Sequence, residues 1–214
     1  MSGAAEILVA QPAFEPYLLG AHALGARVVS VPAGKDYAFP LEGMLRAITP
    51  NTRAILPTHL YGMACDMDPI LELAKRHNLK VVEDCAHSLG AEYKGRMVGT
   101  LGDASFFSFQ AFKPLNTYGG GLAWMRDEAL ARKVGALAAI EPLPSEERVE
   151  KILWEGKWQH TFIRPKVFTY STFPILYLAS FVGAKPEERM WEDVRSLSPL
   201  PPRYGGRFSN VQAA

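Results

Sequence analysis

Four short apolar runs, separated by segments of helical pattern, constrain the fold of this chain more than any other feature. Ile7–Ala10, Arg27–Val31, Arg53–Leu56 and Leu79–Glu83 have the length of buried strands and are too short for helices. Between them lie Glu15–Leu24, Pro40–Ile48 and a stretch after Asp66 in which Ile70, Leu73, Ala74 and His77 recur on one helical face. Strands separated by helices are parallel neighbours joined by right-handed crossovers. The punctuation agrees: Gly25 stops the first helix, Pro40 stands at the first helical position of the second, and Asp66 or Asp68 caps the third. Lys75-Arg76 end that third helix as a solvated pair, favourable against its dipole.

Two more strands are expected at Ala104–Phe109 and Leu122–Met125, then a helix over Asp127–Leu137 with Asp127 near its start. Glu141–Glu150, with two prolines and many acids, reads as a loop or linker. Beyond it periodicity fades. Trp154, Trp158, Phe162, Phe168, Tyr170, Phe173 and Tyr177 mark an aromatic-rich stretch suited to packing or a dimer contact, and Pro199–Pro202 a turn or boundary. The fold expected is α/β with a mostly parallel mixed sheet, residues 1–150 forming one large domain and 151–214 an aromatic-rich helical connection.

Composition sets limits on partners. A chain of 214 residues, 48% hydrophobic and 21% charged, can bury a single substantial core. Its net charge of +1 and scattered basic residues leave no electrostatic footprint for nucleic acid. Cys65 and Cys85 lack metal-ligand spacing and read as two reduced thiols of a cytoplasmic protein, so no metal site is expected. The N-terminus shows no basic segment followed by an apolar run and a small-residue cleavage site, hence no secretory signal. Val167–Ala184 is uncharged and just reaches spanning length, but Pro174 and its hydroxyl residues favour a helical hairpin face, a subunit contact or a membrane-surface patch over a membrane span.

The chemistry concentrates between Val81 and Gly121. Asp84 ends one strand and Ser108 lies near the end of the next, with Lys113 five residues later, so their loops open on one sheet edge, where open α/β sheets bind ligands. A lysine can condense with an aldehyde cofactor, an acid can keep a pyridine nitrogen protonated, and a hydroxyl can donate to a phosphate. Lysine suits the first role because its amine loses its proton when desolvated, which an arginine does not. Gly119-Gly120-Gly121 leads into a strand, the reverse of a dinucleotide fingerprint's setting, which argues against a nicotinamide-dependent dehydrogenase.

The motifs in this stretch are Glu83-Asp84-Cys85-Ala86-His87, then Gly95 to Asp103, then Ser108-Phe109-Gln110-Ala111-Phe112-Lys113, then Gly120-Gly121. Together they resemble the DegT/DnrJ/StrS family of sugar aminotransferases, and the likeness extends more weakly over nearly the whole chain. The resemblance implies a three-layer α/β/α large domain of a fold type I enzyme dependent on pyridoxal 5'-phosphate. It makes Lys113 the Schiff-base lysine and Asp84 the pyridinium partner. Ser108 becomes a phosphate ligand, and His87 stands where most relatives carry a ring-contacting glutamine. Phe14 or Tyr17 supplies the aromatic ring that stacks on the cofactor. Pro57-Thr58-His59-Leu60-Tyr61-Gly62 resembles the family's P-x-H-x-[YF]-G loop, placing His59 and Tyr61 at the pocket mouth as substrate contacts.

The implied substrates are an amino acid donor and a keto-sugar, nucleotide-linked, and the implied assembly is a homodimer. A lysine at position 113 favours transamination over the family's dehydratase branch, which has histidine there. Departures from the pattern also stand out. Gly205 replaces an asparagine that in relatives reaches the neighbouring subunit's phosphate, and Gly119 replaces a common glutamate. The family's early G-T phosphate loop has no counterpart before Ile7 and its small domain none after Ala214, so the chain reads as the middle of a longer protein. A catalytically silent scaffold or dimerisation fragment is the alternative these departures favour.

Overall fold

The computed structural model describes residues 3–11, 13–14, 16–34, 38–110 and 113–181. Strand β1 (Glu6–Gln11) leads through α1 (Pro16–Ala23) to β2 (Arg27–Pro32), and α2 (Leu41–Ala47) returns the chain to β3 (Thr52–Leu56). Helix α3 (Met67–Arg76) then leads to β4 (Lys80–Asp84). A short hairpin, β5 (Glu92–Tyr93) and β6 (Arg96–Met97), intervenes before β7 (Ala104–Ser108) and β8 (Gly121–Met125). The large sheet has the order β2-β1-β3-β4-β7-β8. All its pairings are parallel except β7 with β8, which fulfils the expected mostly parallel mixed sheet. Because the chain steps outward from β1 to β2 and then back across to β3, right-handed crossovers place α1 on one face and α2 and α3 on the other.

Apolar spacing explains the packing of the second face. Met44 of α2 and Met67, Ile70, Leu73 and Ala74 of α3 are buried against Leu8, Ile55 and Val81 from the central strands. Each fully buried aliphatic side chain is worth about 1.5–3 kcal/mol. His77, expected on that apolar face, is instead the exposed residue that ends α3. Pro40 caps α2 from outside the helix instead of starting it, and Asp66 occupies the cap position of α3 without bonding the helix. The Asp66 carboxylate turns to the Tyr93 hydroxyl, which donates to it at 2.5 Å, so the cap is exchanged for a tie to the hairpin. That hairpin turns on Lys94 and Gly95, both with positive φ (50° and 75°), as a two-residue primed turn requires.

After β8 the chain is helical further than its pattern suggests. Helix α4 (Glu128–Ile140) starts at Asp127, whose carboxylate accepts from Leu130 N at 2.8 Å. Residues 141–150 are not wholly a linker: α5 (Glu146–Phe162) begins at Ser145, whose hydroxyl accepts from Arg148 N, with Glu146 and Glu147 placed favourably in its first turn. Pro142 and Pro144 lie before the cap and leave the helix intact. The aromatic stretch continues as α6 (Pro165–Val167), a π-helical turn (Phe168–Thr172) and α7 (Phe173–Phe181). None of the helices among the described residues is long and apolar enough to cross a membrane. Gly205 and the motif around it lie outside the described residues.

Candidate active site

Parallel pairing of β4 with β7 sets Asp84 beside Phe106 at the carboxyl end of the sheet, and Lys113 follows on the loop beyond β7. The loop after β3 joins them: Asp84 N donates to Pro57 O and His59 N to Asp84 O, both at 2.9 Å. Asp84 is buried, with one carboxylate oxygen accepting from Ala86 N at 2.9 Å and the other from the Tyr17 hydroxyl. Burial and the Asp84 charge push the Tyr17 phenol well above its ordinary range, so it stays protonated and donates. The Tyr17 ring also meets Phe106 edge-on at 6.1 Å, and Phe14, exposed at the rim, meets Tyr17 at 5.9 Å.

Lys113 Nζ lies 2.7 Å from His87 Nε2. Burial holds the lysine below its ordinary value, with the Asp84 charge acting the other way. Burial, and then the Lys113 charge, also hold His87 below its ordinary value, against Asp84. Tyr61 stands edge-on to the His87 ring at 5.6 Å with its own ring largely in solvent. Ser108 ends β7, and its Oγ accepts from Gln110 N at 3.5 Å, the long limit of a hydrogen bond. Asp84, Lys113, His87 and Tyr17 therefore gather at one sheet edge, with Tyr61 and Phe14 at the rim.

His59 departs from the expectation that it lines the mouth. Its side chain is fully buried, Nε2 lies 3.1 Å from Glu83, and Nδ1 accepts from Cys65 N. The partner explains the position. Glu83, which sequence reasoning passed over, is fully buried and accepts from Gly99 N at 2.7 Å, Leu101 N at 2.8 Å and Gly102 N at 2.6 Å. Burial alone would push this carboxyl up, but His59 and the backbone donors of Gly102 and Gly99 hold it below its ordinary value. The signal was present: a glutamate inside an apolar strand, followed by a loop whose glycines let backbone approach. A Cβ on Gly102 would lie 2.6 Å from Val81 O, and Gly99 has φ +86°.

His59, Glu83 and Cys85 come within 4.8 Å of one another. With its oxygens already accepting from His59 and three backbone N–H groups, Glu83 is a structural acceptor fastening the glycine loop beneath β4, a use that competes with metal ligation. Cys65 and Cys85 are both free thiols, and burial raises both, Cys65 to about 11.

A mostly parallel sheet flanked by helices, with a partly buried lysine and a buried acid at its strand ends, has the α/β architecture of the fold type I aminotransferases. The aminotransferase from Psychrobacter cryohalolentis superposes on 66% of this chain and 36% of its own, with a TM-score of 0.61 and 35% identity. The chain is 53% identical over 90 residues, 42% of its length, to the GDP-perosamine synthase of Caulobacter vibrioides, of which this covers 24%. It is 41% identical over 134 residues, 62% of its length, to the dTDP-3-amino-3,4,6-trideoxy-alpha-D-glucose transaminase of Micromonospora megalomicea subsp. nigra, of which this covers 36%. The chain thus spans between about a quarter and two fifths of these proteins. The DegT/DnrJ/EryC1/StrS aminotransferase family model matches residues 3–148, and the chain belongs to that family.

Proposed function

We propose that this chain carries the cofactor-binding centre of a pyridoxal 5'-phosphate-dependent aminotransferase that moves an amino group from an amino acid to a keto-sugar attached to a nucleotide. Relatives whose names specify GDP- and dTDP-linked sugars support the substrate class. The observation that carries the reading is Lys113, partly buried at the same sheet edge as the buried Asp84, its amine held below the ordinary value by that burial.

The donor set fits the cofactor. The Asp84 oxygen that accepts from the Tyr17 hydroxyl has the capacity to accept from a protonated ring nitrogen. The Ser108 hydroxyl, which among the described residues accepts one long bond from Gln110 N, is the candidate to donate to a phosphate. When bound, pyridoxal phosphate supplies the electron-accepting ring on which transamination depends. Asp84 keeps the ring nitrogen protonated, and desolvated Lys113 is the covalent anchor and then the base and acid that moves a proton through Nζ. Phe14 and Tyr17 are the candidates to cover the ring, and Tyr61, exposed beside His87, is the candidate substrate contact. A cytoplasmic homodimer belongs to the same reading.

Borohydride reduction of the chain after addition of the cofactor, followed by peptide mapping, tests it. The pyridoxyl mass is expected on Lys113 and is lost in Lys113→Ala; a label on another lysine, or none, defeats the assignment. A silent scaffold is the second reading, favoured by the Tyr17 hydroxyl standing on the Asp84 carboxylate. It predicts no cofactor uptake in the unaltered chain and uptake in Tyr17→Phe.

A further inference from the structure

The Lys113–His87 contact asks for an assignment of its own. Two nitrogens 2.7 Å apart cannot both carry a full complement of protons, because no lone pair would then remain to accept. Lysine is the stronger base by several orders of magnitude, so the proton between them belongs to Lys113, and His87 accepts through Nε2 while its own proton sits on Nδ1. His87 is in turn fastened by its neighbours: Gly62 N donates to His87 O at 3.1 Å and to Ser88 Oγ at 3.2 Å, and Tyr61 packs edge-on against the imidazole. The imidazole thus belongs to a braced loop, while Lys113 lies on a segment that leaves the sheet.

We propose that His87 is a positioning residue for Lys113: its neutral imidazole accepts from the lysine ammonium and holds the amine beside Asp84. The proposal rests on Lys113 being the cofactor lysine, and it adds a condition on pH. Once His87 is protonated it can no longer accept, and it repels the ammonium, so Lys113 is released. Among the described residues, the charged and titratable groups facing the pair are Asp84 from β4, Tyr61 from the loop after β3, and Tyr17 from α1, which reaches it through Asp84. A glutamine at position 87 keeps an acceptor and so keeps the hold, but removes the release.

The test needs no cofactor. Long-range 1H–15N NMR of the cofactor-free chain is expected to find His87 with its proton on Nδ1 at neutral pH and titrating below 6.5, the ordinary histidine value. Lys113→Met, which keeps the length and removes the charge, raises that titration. Trace acetylation across pH, read at Lys113 by mass spectrometry, supplies the second measurement. His87→Phe keeps the ring packing, removes the acceptor and moves the Lys113 midpoint to lower pH, whereas His87→Gln stays near the unaltered chain. A His87 titration indifferent to Lys113→Met, or a Lys113 curve indifferent to His87→Phe, overturns the proposal. If a histidine variant does not fold, the Lys113→Met measurement still decides. Pyridoxyl labelling separates the two readings: absence of label on Lys113 with the His87 shift intact removes the aminotransferase assignment and leaves the pair standing.

Discussion

Replacing Glu83 by glutamine isolates what one buried carboxylate contributes. The substitution keeps the shape but exchanges an accepting oxygen for a donating amide, which cannot take the N–H groups of Gly99 or of Leu101 and Gly102. A loss of about 3 kcal/mol in urea unfolding is expected, the size seen when one member of a buried charge network is removed. The pH dependence follows from the sign of the shift. Because the folded carboxyl is held below its ordinary 4.5, its contribution is full above that value and is lost as pH falls through the lower folded value. Glu83→Gln should therefore flatten the acid limb of stability, and an unchanged limb contradicts the role. A glutamate inside an apolar strand was a visible signal, but neighbours on a strand face opposite ways, so its partners in the glycine loop emerge only in the fold. The same blindness sent His59 to the pocket mouth: a histidine after a strand looks alike whether it points to solvent or to a buried acid.

Elements were readable where one face is buried. Strands β1–β4 and helices α2 and α3 appear in the pattern because their apolar positions answer to a core, and α4 was anchored by its Asp127 cap. Helix α5 was misread in part because its sole buried residue is Gly156, so no apolar stripe marks its register. The β5–β6 hairpin was overlooked because two-residue strands carry no alternation, leaving Lys94-Gly95 as the only trace. Gly156 is also where α5 meets the segment after Lys113. Tyr118 OH donates to Gly156 O at 3.0 Å, and a Cβ there would stand 2.6 Å from the Tyr118 ring. Gly156→Val is expected to displace that ring at a cost of about 1–3 kcal/mol. Hydrogen exchange should quicken in α5 and in residues 117–120 while β1–β4 stay protected. Uniform acceleration across the sheet would mean that α5 supports the whole fold rather than this one segment.

Across the whole molecule burial is uneven. The core lies on β1, β3, β4, α2 and α3, whereas α4 buries no residue and β8 exposes Leu122 at 51%. Farther on, Ile140 is 79% exposed, Trp154 62% and Phe181 70%, and other large apolar residues between 137 and 178 share this exposure. Large apolar side chains exposed together in this way offer a surface for apolar contact. An environment-sensitive apolar dye should consequently bind the chain without denaturant while its far- and near-ultraviolet circular dichroism stay native, which distinguishes exposed folded surface from a loosened core. Charging two of the exposed positions on α4, Leu137→Lys with Ile140→Lys, removes part of that surface and touches no buried group. Dye fluorescence should fall while the urea midpoint moves by no more than about 0.5 kcal/mol equivalent, the usual range for surface substitutions. A large drop in stability would show that these side chains already pack against something in solution. Undiminished dye binding would instead move the apolar surface to the aromatic helices beyond Trp154.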